Sequence, residues 1–285
     1  MARVLCVGIA TLDIINLVDR YPAEDSEVRA LSQEIRAGGN ASNTAQVLAQ
    51  LGTDSHWVGN LSDQPQASIV RDAFARFGVD ASLGRLVEGS SMPTSYITLN
   101  QASGSRSIVH YRDMPEYAAE SFLQLDLRLF DWVHFEGRAP GQLAPMMQRA
   151  RGMCGVPISL EVEKPRDGIE ELFDEADLLL FSRDYARQQG FDSAQALLKR
   201  LPGGTLATCA WGDQGAWAID FEANLMHEPA HEPAEVVDTL GAGDVFNAGI
   251  VHALSNGLPM SEALQKAVRL AGRQCGRPGL ELPNA

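Results

Sequence analysis

Short apolar runs recur along this chain, separated by stretches that have the spacing of amphipathic helices. Residues 4–10 form an uninterrupted apolar run, which is typical of a strand covered on both faces. Residues 41–51 place apolar side chains on one face and are followed by a glycine, which indicates a helix. Further strands are predicted at 57–59, 132–135, 158–162, 178–181 and 206–210. This alternation predicts an α/β fold whose mostly parallel central sheet has helices on both faces.

Two parts of the chain break the alternation. Residues 12–19 and 27–35 mix polar with β-branched side chains, as strands with one wet face do. Residues 96–100 and 107–111 are also strand-like, and the turn-forming segment between them predicts a hairpin. We therefore expect one domain over residues 1–285, with a small β lid formed from about residues 12–35 and 93–112.

A second helix is predicted after Asp63, which would cap its N-terminus, and this helix should end at Gly78. A further helix is predicted at 193–201, beginning with a serine cap.

The charge of the chain limits the partners it can have. Lys and Arg number 23 against 37 Asp and Glu, which gives a net charge of −14. Such a chain repels polyphosphate backbones, so we expect no nucleic acid partner, although a local basic patch can still bind one small anion. No stretch reaches membrane-spanning length, and residues 1–13 lack the features of a signal peptide. The cysteines form no C-x-x-C pair, and we expect all of them (Cys6, Cys154, Cys209, Cys275) to be buried as small apolar residues. These features predict a cytoplasmic protein with no membrane partner.

The strongest local motif is the glycine turn that ends in Asp244. The turn Gly241-Ala242-Gly243 opens an apolar helix, so free N–H groups and the positive end of the helix dipole would form an anion site. Asp244 could accept a proton from an attacking hydroxyl while the N–H groups hold a phosphoryl charge. On this motif alone, an Asp that merely caps the helix is an equally good interpretation. The dinucleotide motif fails because Phe246 stands at its third glycine position, and no lysine follows a glycine as a Walker-type loop requires.

A second glycine motif comes before the first helix. Gly38 and Gly39 permit close approach of a ligand, and the amides of Asn40 and Asn43 suit the hydroxyl groups of a polyol. Taken alone, this motif favours an ordinary helix entry with Asn40 or Ser42 as the cap. Asp13 and Asp25 lie on the polar strands before it and could simply be solvated carboxylates.

Three carboxylates follow or end predicted strands. Glu136, Glu161 and Glu163 stand where the carboxyl ends of parallel strands meet a ligand crevice. A structural charge cluster of Glu163 with Lys164 and Arg166 is an equally good interpretation.

Together the two glycine motifs resemble the paired signatures of the ribokinase-like (PfkB) carbohydrate kinase family. Residues 17–22 (Leu-Val-Asp-Arg-Tyr-Pro), 102–106 (Ala-Ser-Gly-Ser-Arg) and 161–166 (Glu-Val-Glu-Lys-Pro-Arg) are similar to its ketohexokinase branch. The resemblance runs from about residue 4 to residue 276. It implies a three-layer α/β/α sandwich with a small β-sheet lid, and ATP-dependent transfer of a phosphoryl group to a ketohexose, at the 1-hydroxyl of fructose.

The resemblance also implies roles for matching positions. Asp244 matches the general base, and the anion hole would comprise Gly241, Ala242 and Gly243. Sugar contacts would come from Asp13, Asp25, Gly39, Asn40 and Asn43, with Arg106 as a lid cation at the hairpin tip. The nucleotide side would involve Trp211 and Gly215, together with Gly241 and Gly243.

Cofactors and partners follow from the same resemblance. ATP and Mg²⁺ are implied as cofactors, a homodimer through the lid is expected, and K⁺ activation, which would involve the loop at Asp238, stays open. Many family members carry Asn-x-x-Glu for magnesium and phosphate, but residues 181–185 lack it, so the protein ligands of Mg²⁺ are left unassigned. Three functions remain compatible with the sequence: a ketohexokinase-like sugar kinase, a kinase of another sugar, sugar acid or nucleoside, and a non-enzymatic sugar or nucleotide sensor.

Overall fold

The computed structural model of the protein describes residues 1–282. Its strands are β1 (Arg3–Val7), β2 (Thr11–Val18), β3 (Ser32–Gly38), β4 (Asp54–Val58), β5 (Asn60–Ser62), β6 (Arg85–Val87), β7 (Thr94–Asn100), β8 (Arg106–Tyr111), β9 (Trp132–Glu136), β10 (Ile158–Val162), β11 (Leu178–Ser182), β12 (Ala207–Ala210), β13 (Ala216–Ile219) and β14 (Leu225–Glu228). Its helices are α1 (Asn40–Gln50), α2 (Ala67–Phe77), α3 (Ala119–Phe122), α4 (Pro140–Gln148), α5 (Arg183–Gln188), α6 (Ala194–Leu198), α7 (Ala242–Ser255) and α8 (Met260–Cys275).

The large sheet has the strand order β14-β13-β12-β11-β10-β9-β1-β4. The six strands from β12 to β4 in that order run parallel to one another. Strand β13 pairs antiparallel with both of its neighbours, β12 and β14. Successive side chains of β1 enter two different cores, Val4 and Cys6 on one face and Leu5 and Val7 on the other. Helices α1, α2, α7 and α8 cover the first core, and α3 to α6 contribute to the second. The predicted three-layer α/β/α sandwich with a mostly parallel sheet is therefore confirmed.

Four strands form a separate small sheet, which we call the lid sheet. Its order is β3-β2-β7-β8, and β2 and β7 pair in parallel while the two outer pairs are antiparallel. The predicted hairpin is present as β7 and β8. The strand predicted at 27–35 is shifted, since residues 27–31 form no strand and β3 continues to Gly38, where it pairs with Thr11.

The register of the lid sheet gives it two chemically different faces. One row across all four strands consists of Arg36, Asp13, Ser95 and His110. The neighbouring row, one residue along each strand and hence on the opposite face, consists of Ile35, Ile14, Tyr96 and Val109. The first row lines the large cleft of the molecule and the second does not.

Asp63 does not cap α2, which corrects the sequence prediction. The helix begins at Ala67, and the Asp63 carboxylate instead accepts a hydrogen bond from the backbone N–H of Gly89 at 3.2 Å. The predicted end is confirmed, because Gly78 adopts the left-handed conformation with φ 79°. Ser193 caps α6 as predicted, accepting from the N–H of Ala196.

Cys6 and Cys209 are buried as predicted, and Cys275 is half-buried. The side chain of Cys154 lies outside the described part of the chain. Within residues 1–282, no helix combines the length and the apolar character that crossing a membrane requires.

Candidate active site

A wide cleft is lined by residues of both the lid sheet and the large sheet. Its volume is about 1480 Å³, whereas one small-molecule site typically occupies about 300–1,000 Å³. Both glycine motifs line it, as do residues at the carboxyl ends of β9, β10 and β11. Ligands of open α/β sheets bind at this edge, and the cleft has room for two ligands side by side.

The glycine motif at 241–244 forms the N-terminus of α7. Gly241 is the residue before the first turn, with φ 78°, and a Cβ there would lie 2.8 Å from Leu280 Cδ2. No side chain caps this helix end. The N–H of Ala242 donates to the Thr239 carbonyl at 3.4 Å, whereas the N–H groups of Gly243 and Asp244 have no partner within residues 1–282 and can bind an anion. Asp244 therefore does not cap α7. Its carboxylate is buried and accepts a hydrogen bond from Asn43 Nδ2 at 2.7 Å.

Burial raises the pKa of Asp244 well above the usual range of an aspartate. The hydrogen bond from Asn43 lowers this pKa, while the charges of Glu163 and Glu136 raise it further. A carboxylate with a raised pKa is a stronger proton acceptor, which suits a general base.

The motif at 38–43 forms the N-terminus of α1. Gly39 is the cap residue with φ 95°, and a Cβ there would lie 2.5 Å from the carbonyl oxygen of Ile9. No side chain caps α1, so neither Asn40 nor Ser42 has the capping role that the motif alone favours. Instead, Asn40 Nδ2 donates to Glu161 Oε1 at 3.1 Å. The side-chain amides of Asn40 and Asn43 therefore donate to the carboxylates of Glu161 and Asp244 and do not cap the helix.

Glu136 and Glu161 place two more carboxyl groups in the floor of the cleft. Glu136 Oε2 accepts from the N–H groups of Ile9 (2.9 Å) and Ala41 (3.2 Å), and burial raises its pKa to about 7. Burial, reinforced by the charges of Asp244 and Glu136, also raises the pKa of Glu161. Glu161 Oε1 accepts from Asn40 and from Asn247 Nδ2, while its Oε2 has no hydrogen-bond partner within residues 1–282. The cleft floor is thus an acidic surface on which burial disfavours the charged form of the carboxyl groups, and Glu161 Oε2 has unused hydrogen-bonding capacity.

Cations line the walls of the cleft. Arg106 is the first residue of β8 and not part of the loop tip, and its Nη1 donates to Thr239 Oγ1 at 3.1 Å. Arg36 of β3 contacts Asp238, with Nη1 2.9 Å from Oδ2. Other cationic side chains in the lining are Arg138, Lys164, Arg166 and Arg183. An acidic chain thus carries the local basic patch that an anionic ligand requires.

Most of the predicted site residues meet in this cleft. Its lining includes Asp13, Gly39, Asn40, Asn43, Arg106, Gly215, Gly241, Ala242, Gly243 and Asp244. Asp25 is not brought to it, since it is exposed in the segment between β2 and β3. The indole of Trp211 does not line the cleft either. Trp211 is 3% exposed and packs into the second core, and the Arg187 guanidinium lies 5.7 Å from its ring centre. For these two, the proposed ligand contacts stay predictions.

Arg36, His110 and Asn247 are among the cleft residues that the sequence motifs did not single out. Asn247 stands one helical turn after Asp244, a spacing that places both on one face of α7 and was readable from the sequence. Arg36 and His110 lie at the two edges of the row that contains Asp13, and only the strand register reveals this. Among the described residues, no three His, Cys, Asp or Glu side chains are grouped so that they could hold a metal ion.

Comparison with known proteins shows the family to which the chain belongs. Residues 1–285 match the model of the pfkB family of carbohydrate kinases. The chain is 38% identical to ketohexokinase of Mus musculus over 291 residues, covering 98% of both chains. It is 26% identical to an ATP-dependent ribose-1-phosphate kinase of Halopiger xanaduensis, covering 98% of this chain and 94% of that one.

Two solved structures are similar in fold. A ribokinase of Arabidopsis thaliana complexed with ribose and ATP superimposes with a TM-score of 0.82 at 23% identity, covering 98% of this chain and 94% of that one. A ribokinase of Giardia lamblia gives a TM-score of 0.84 at 15% identity, covering 98% and 95%.

Proposed function

Because the chain belongs to the pfkB family of carbohydrate kinases and is an ATP-dependent sugar kinase, we propose that its acceptor is a ketohexose, with D-fructose phosphorylated at the 1-hydroxyl. The observation that carries this proposal is the hydrogen bond between Asn43 and Asp244, which joins the polyol motif to the phosphate motif in one cleft. The similarity to mouse ketohexokinase over 98% of both chains favours a ketohexose over other acceptors.

In the proposed reaction Asp244 is the general base. It takes the proton of the sugar hydroxyl as that oxygen forms a bond to the γ-phosphorus of ATP, and the bond from this phosphorus to the bridging oxygen of ADP breaks. The free N–H groups at the start of α7 face the phosphoryl oxygens and stabilise their negative charge. Asn43 fixes the Asp244 carboxylate through Oδ2, so the carboxylate is oriented before the sugar binds.

The sugar is proposed to lie under the polar row of the lid sheet. Asp13 accepts from Thr11 Oγ1 at 3.0 Å, and Ser95 Oγ lies 3.3 Å from His110 Nδ1. Burial raises the pKa of Asp13, although its hydrogen bonds from Thr11 and Ser95 lower it. Asn43 Oδ1 is buried and has no partner within residues 1–282, so a sugar hydroxyl can reach it only when the side chain moves. Carboxylate, amide and hydroxyl groups in this arrangement match a polyol, which donates and accepts at every hydroxyl.

The nucleotide is proposed to occupy the other end of the cleft. That end is lined by small residues of β12, β13 and α8, including Ala210, Ala216 and Ala271, which leave room for a flat ring system. Lys164 and Arg183 stand in the same cleft to meet phosphate charge. We propose that Mg²⁺ is held mainly by ATP phosphates and water, as it commonly is in nucleotide-dependent enzymes. When bound, it neutralises charge on the phosphates.

The outer face of the lid sheet is proposed to bind a second copy of the chain. Tyr96 is 48% exposed and Val109 is 69% exposed, and Ile35 extends the same apolar row. All residues of β8 are exposed, and β8 is an edge strand with unpaired backbone groups. Twofold pairing of two lid sheets would cover both the outer apolar row and the exposed edge of β8.

A panel of sugars with ATP and Mg²⁺ tests the acceptor. We expect turnover with D-fructose, and two-dimensional phosphorus–proton NMR should place the phosphate next to the keto group. A 6-phosphate product would contradict this proposal. So would reaction with ribose, a sugar acid or a nucleoside but with no ketose, and the protein would then be a pfkB-family kinase of a different specificity. Binding of sugar and ATP with no turnover would favour a sensor, against which the base at the phosphate hole argues.

A further inference from the structure

Asp238 lies at the point where the chain enters the glycine turn of α7. Its Oδ1 accepts from the N–H of Leu240 at 2.8 Å, and its Oδ2 accepts from the N–H of Gly279 at 3.1 Å. The backbone N–H of Asp238 itself donates to the carbonyl of Cys275 at 3.1 Å. Asp238 therefore ties the turn before Gly241 to the segment that follows α8.

Arg36 supplies a positive charge to the same carboxylate. Its Nη1 is 2.9 Å from Asp238 Oδ2, and the two side chains are 16% and 14% exposed. The contact is an ion pair and not an aligned hydrogen bond, since Nη1 has no hydrogen-bond partner of good geometry within residues 1–282. A Cβ on Gly279 would lie 3.4 Å from Nη1, so a glycine there leaves room for the guanidinium.

A monovalent cation does not fit beside this carboxylate. K⁺ binds where several carbonyl or carboxylate oxygens replace its hydration shell. Here each carboxylate oxygen accepts from one N–H group, and the guanidinium of Arg36 occupies the remaining place beside Oδ2, where a cation would otherwise bind. A K⁺ ion bound to the same carboxylate would lie close to the positive guanidinium of Arg36. Both side chains are mostly buried, so solvent would screen the repulsion between the two cations poorly.

We infer that Arg36 is the built-in cation of Asp238 and that the kinase works without a monovalent cation. Arg36 then acts as a positioning residue: by neutralising Asp238 it holds the turn that presents the N–H groups of α7 to phosphate. Arg36 belongs to β3, where it pairs with Asp13 of β2, so the same side chain also links the lid sheet to that turn. The inference rests on the proposed kinase function, and its test therefore includes a measurement that does not need turnover.

The wild-type protein gives the first test. Turnover is measured in KCl, NaCl and tetramethylammonium chloride at equal ionic strength. We expect rates that agree within about twofold, whereas a coupled activator typically changes affinity or rate by about fivefold or more. A tenfold or greater stimulation by KCl (about 1.4 kcal/mol) would overturn the inference.

Arg36→Gln removes the charge and keeps a long polar side chain. We expect turnover to fall by about tenfold in tetramethylammonium chloride and to recover in KCl, since the vacated place can then take K⁺. The double variant Arg36→Gln with Asp238→Asn should not recover, because no carboxylate remains to attract the cation. Arg20→Gln is the matched control, since Arg20 follows β2 and its side chain is 82% exposed. Loss of turnover in Arg36→Gln that KCl does not restore would mean that Arg36 only supports the fold, and would overturn the inference.

Thermal unfolding separates this inference from the kinase proposal. KCl should leave the melting temperature of the wild type unchanged relative to tetramethylammonium chloride and should raise that of Arg36→Gln, because a ligand that binds only the folded state stabilises it. A protein that phosphorylates no sugar but shows this pattern refutes the kinase proposal and supports the cation inference. An equal rise in the wild type and the variant refutes the cation inference whatever the activity.

Discussion

Asn43 Nδ2 donates a hydrogen bond to Asp244 Oδ2 at 2.7 Å, although 201 residues separate them along the chain. Each stands in the first turns of its helix, Asn43 in α1 and Asp244 in α7, and both are buried. The bond occupies one oxygen of the carboxylate and leaves the other to a substrate. One amide thus sets both the orientation and the basicity of the proposed base.

The first prediction concerns that base. Asp244→Asn should lower kcat by at least ~10²-fold, because general-base catalysis typically contributes 10²–10⁴-fold. Sugar and ATP should still bind, since the amide keeps the size and most of the hydrogen bonding of the carboxylate. Steady-state kinetics and calorimetric titration measure the two effects. Asp72→Asn, at an exposed position of α2, is the control, and near-normal turnover of Asp244→Asn would exclude the mechanism.

The second prediction concerns pH. The hydrogen bond from Asn43 lowers the pKa of Asp244, so Asn43→Ala should raise that pKa further. A general base works only when deprotonated, and the acid limb of kcat/KM should therefore move to higher pH in the variant. The pH profiles of variant and wild type, measured with the same sugar, give the comparison. An unchanged acid limb would contradict the role assigned to this bond.

The third prediction uses the pKa of Glu136, which burial raises from its usual 4.5 to about 7. Folding disfavours the charged form, so this group lowers stability progressively as pH rises from about 4.5 through 7. Glu136→Gln removes the charge and should raise the free energy of unfolding at pH 8 by at most about 3 kcal/mol, with little change at pH 5. Urea unfolding at the two pH values measures this. The same difference at both pH values would mean that ionisation of Glu136 is not the cause.

The fourth prediction separates the two faces of the lid sheet. Val109 belongs to the outer apolar row, whereas Ile108 lines the cleft. From the sequence alone, changing both to charged residues should weaken dimer and sugar affinity together, but the register now assigns the effects separately. Val109→Asp should weaken the dimer, and Ile108→Asp should reduce sugar affinity. Light scattering and sugar titration on both variants test this, and a fully active wild-type monomer at micromolar concentration would rule the dimer out.

The fifth prediction concerns Gly39, whose φ of 95° and contact with the Ile9 carbonyl exclude a side chain. Gly39→Ala should destabilise the protein by at least about 1–3 kcal/mol, the usual range for a strained backbone conformation, before the clash is added. Gly203→Ala is the control, because a Cβ there meets nothing within 4 Å. Denaturant unfolding of both variants measures the difference. Equal stability of the two would show that the turn can relax.

Local signals predicted much of this fold. β10 has the predicted bounds, and both glycine turns open helices, because apolar runs and glycine-to-helix turns are encoded by neighbouring residues. The antiparallel strands β13 and β14 were not predicted, since β14 is a short edge strand with no buried residue and little apolar pattern. Arg36 was not singled out because its contact with Asp238 depends on the register of β3 and on the packing of the chain after α8, neither of which a local pattern encodes. The side chain of Trp211 packs into the second core, and this burial depends on tertiary packing that a local sequence pattern does not encode.

The packing of α1 against α7 has a consequence for synthesis on the ribosome. The polar and apolar side chains that α1 buries over residues 41–48 are partly covered by a helix that begins at residue 242. A nascent chain that has emerged only through α6 lacks this cover, and a long loop must close before it forms. Until then α1 presents a surface that chaperones bind and that neighbouring nascent chains can aggregate with. Destabilised variants of α7 should therefore show their defect first as a low yield of folded protein.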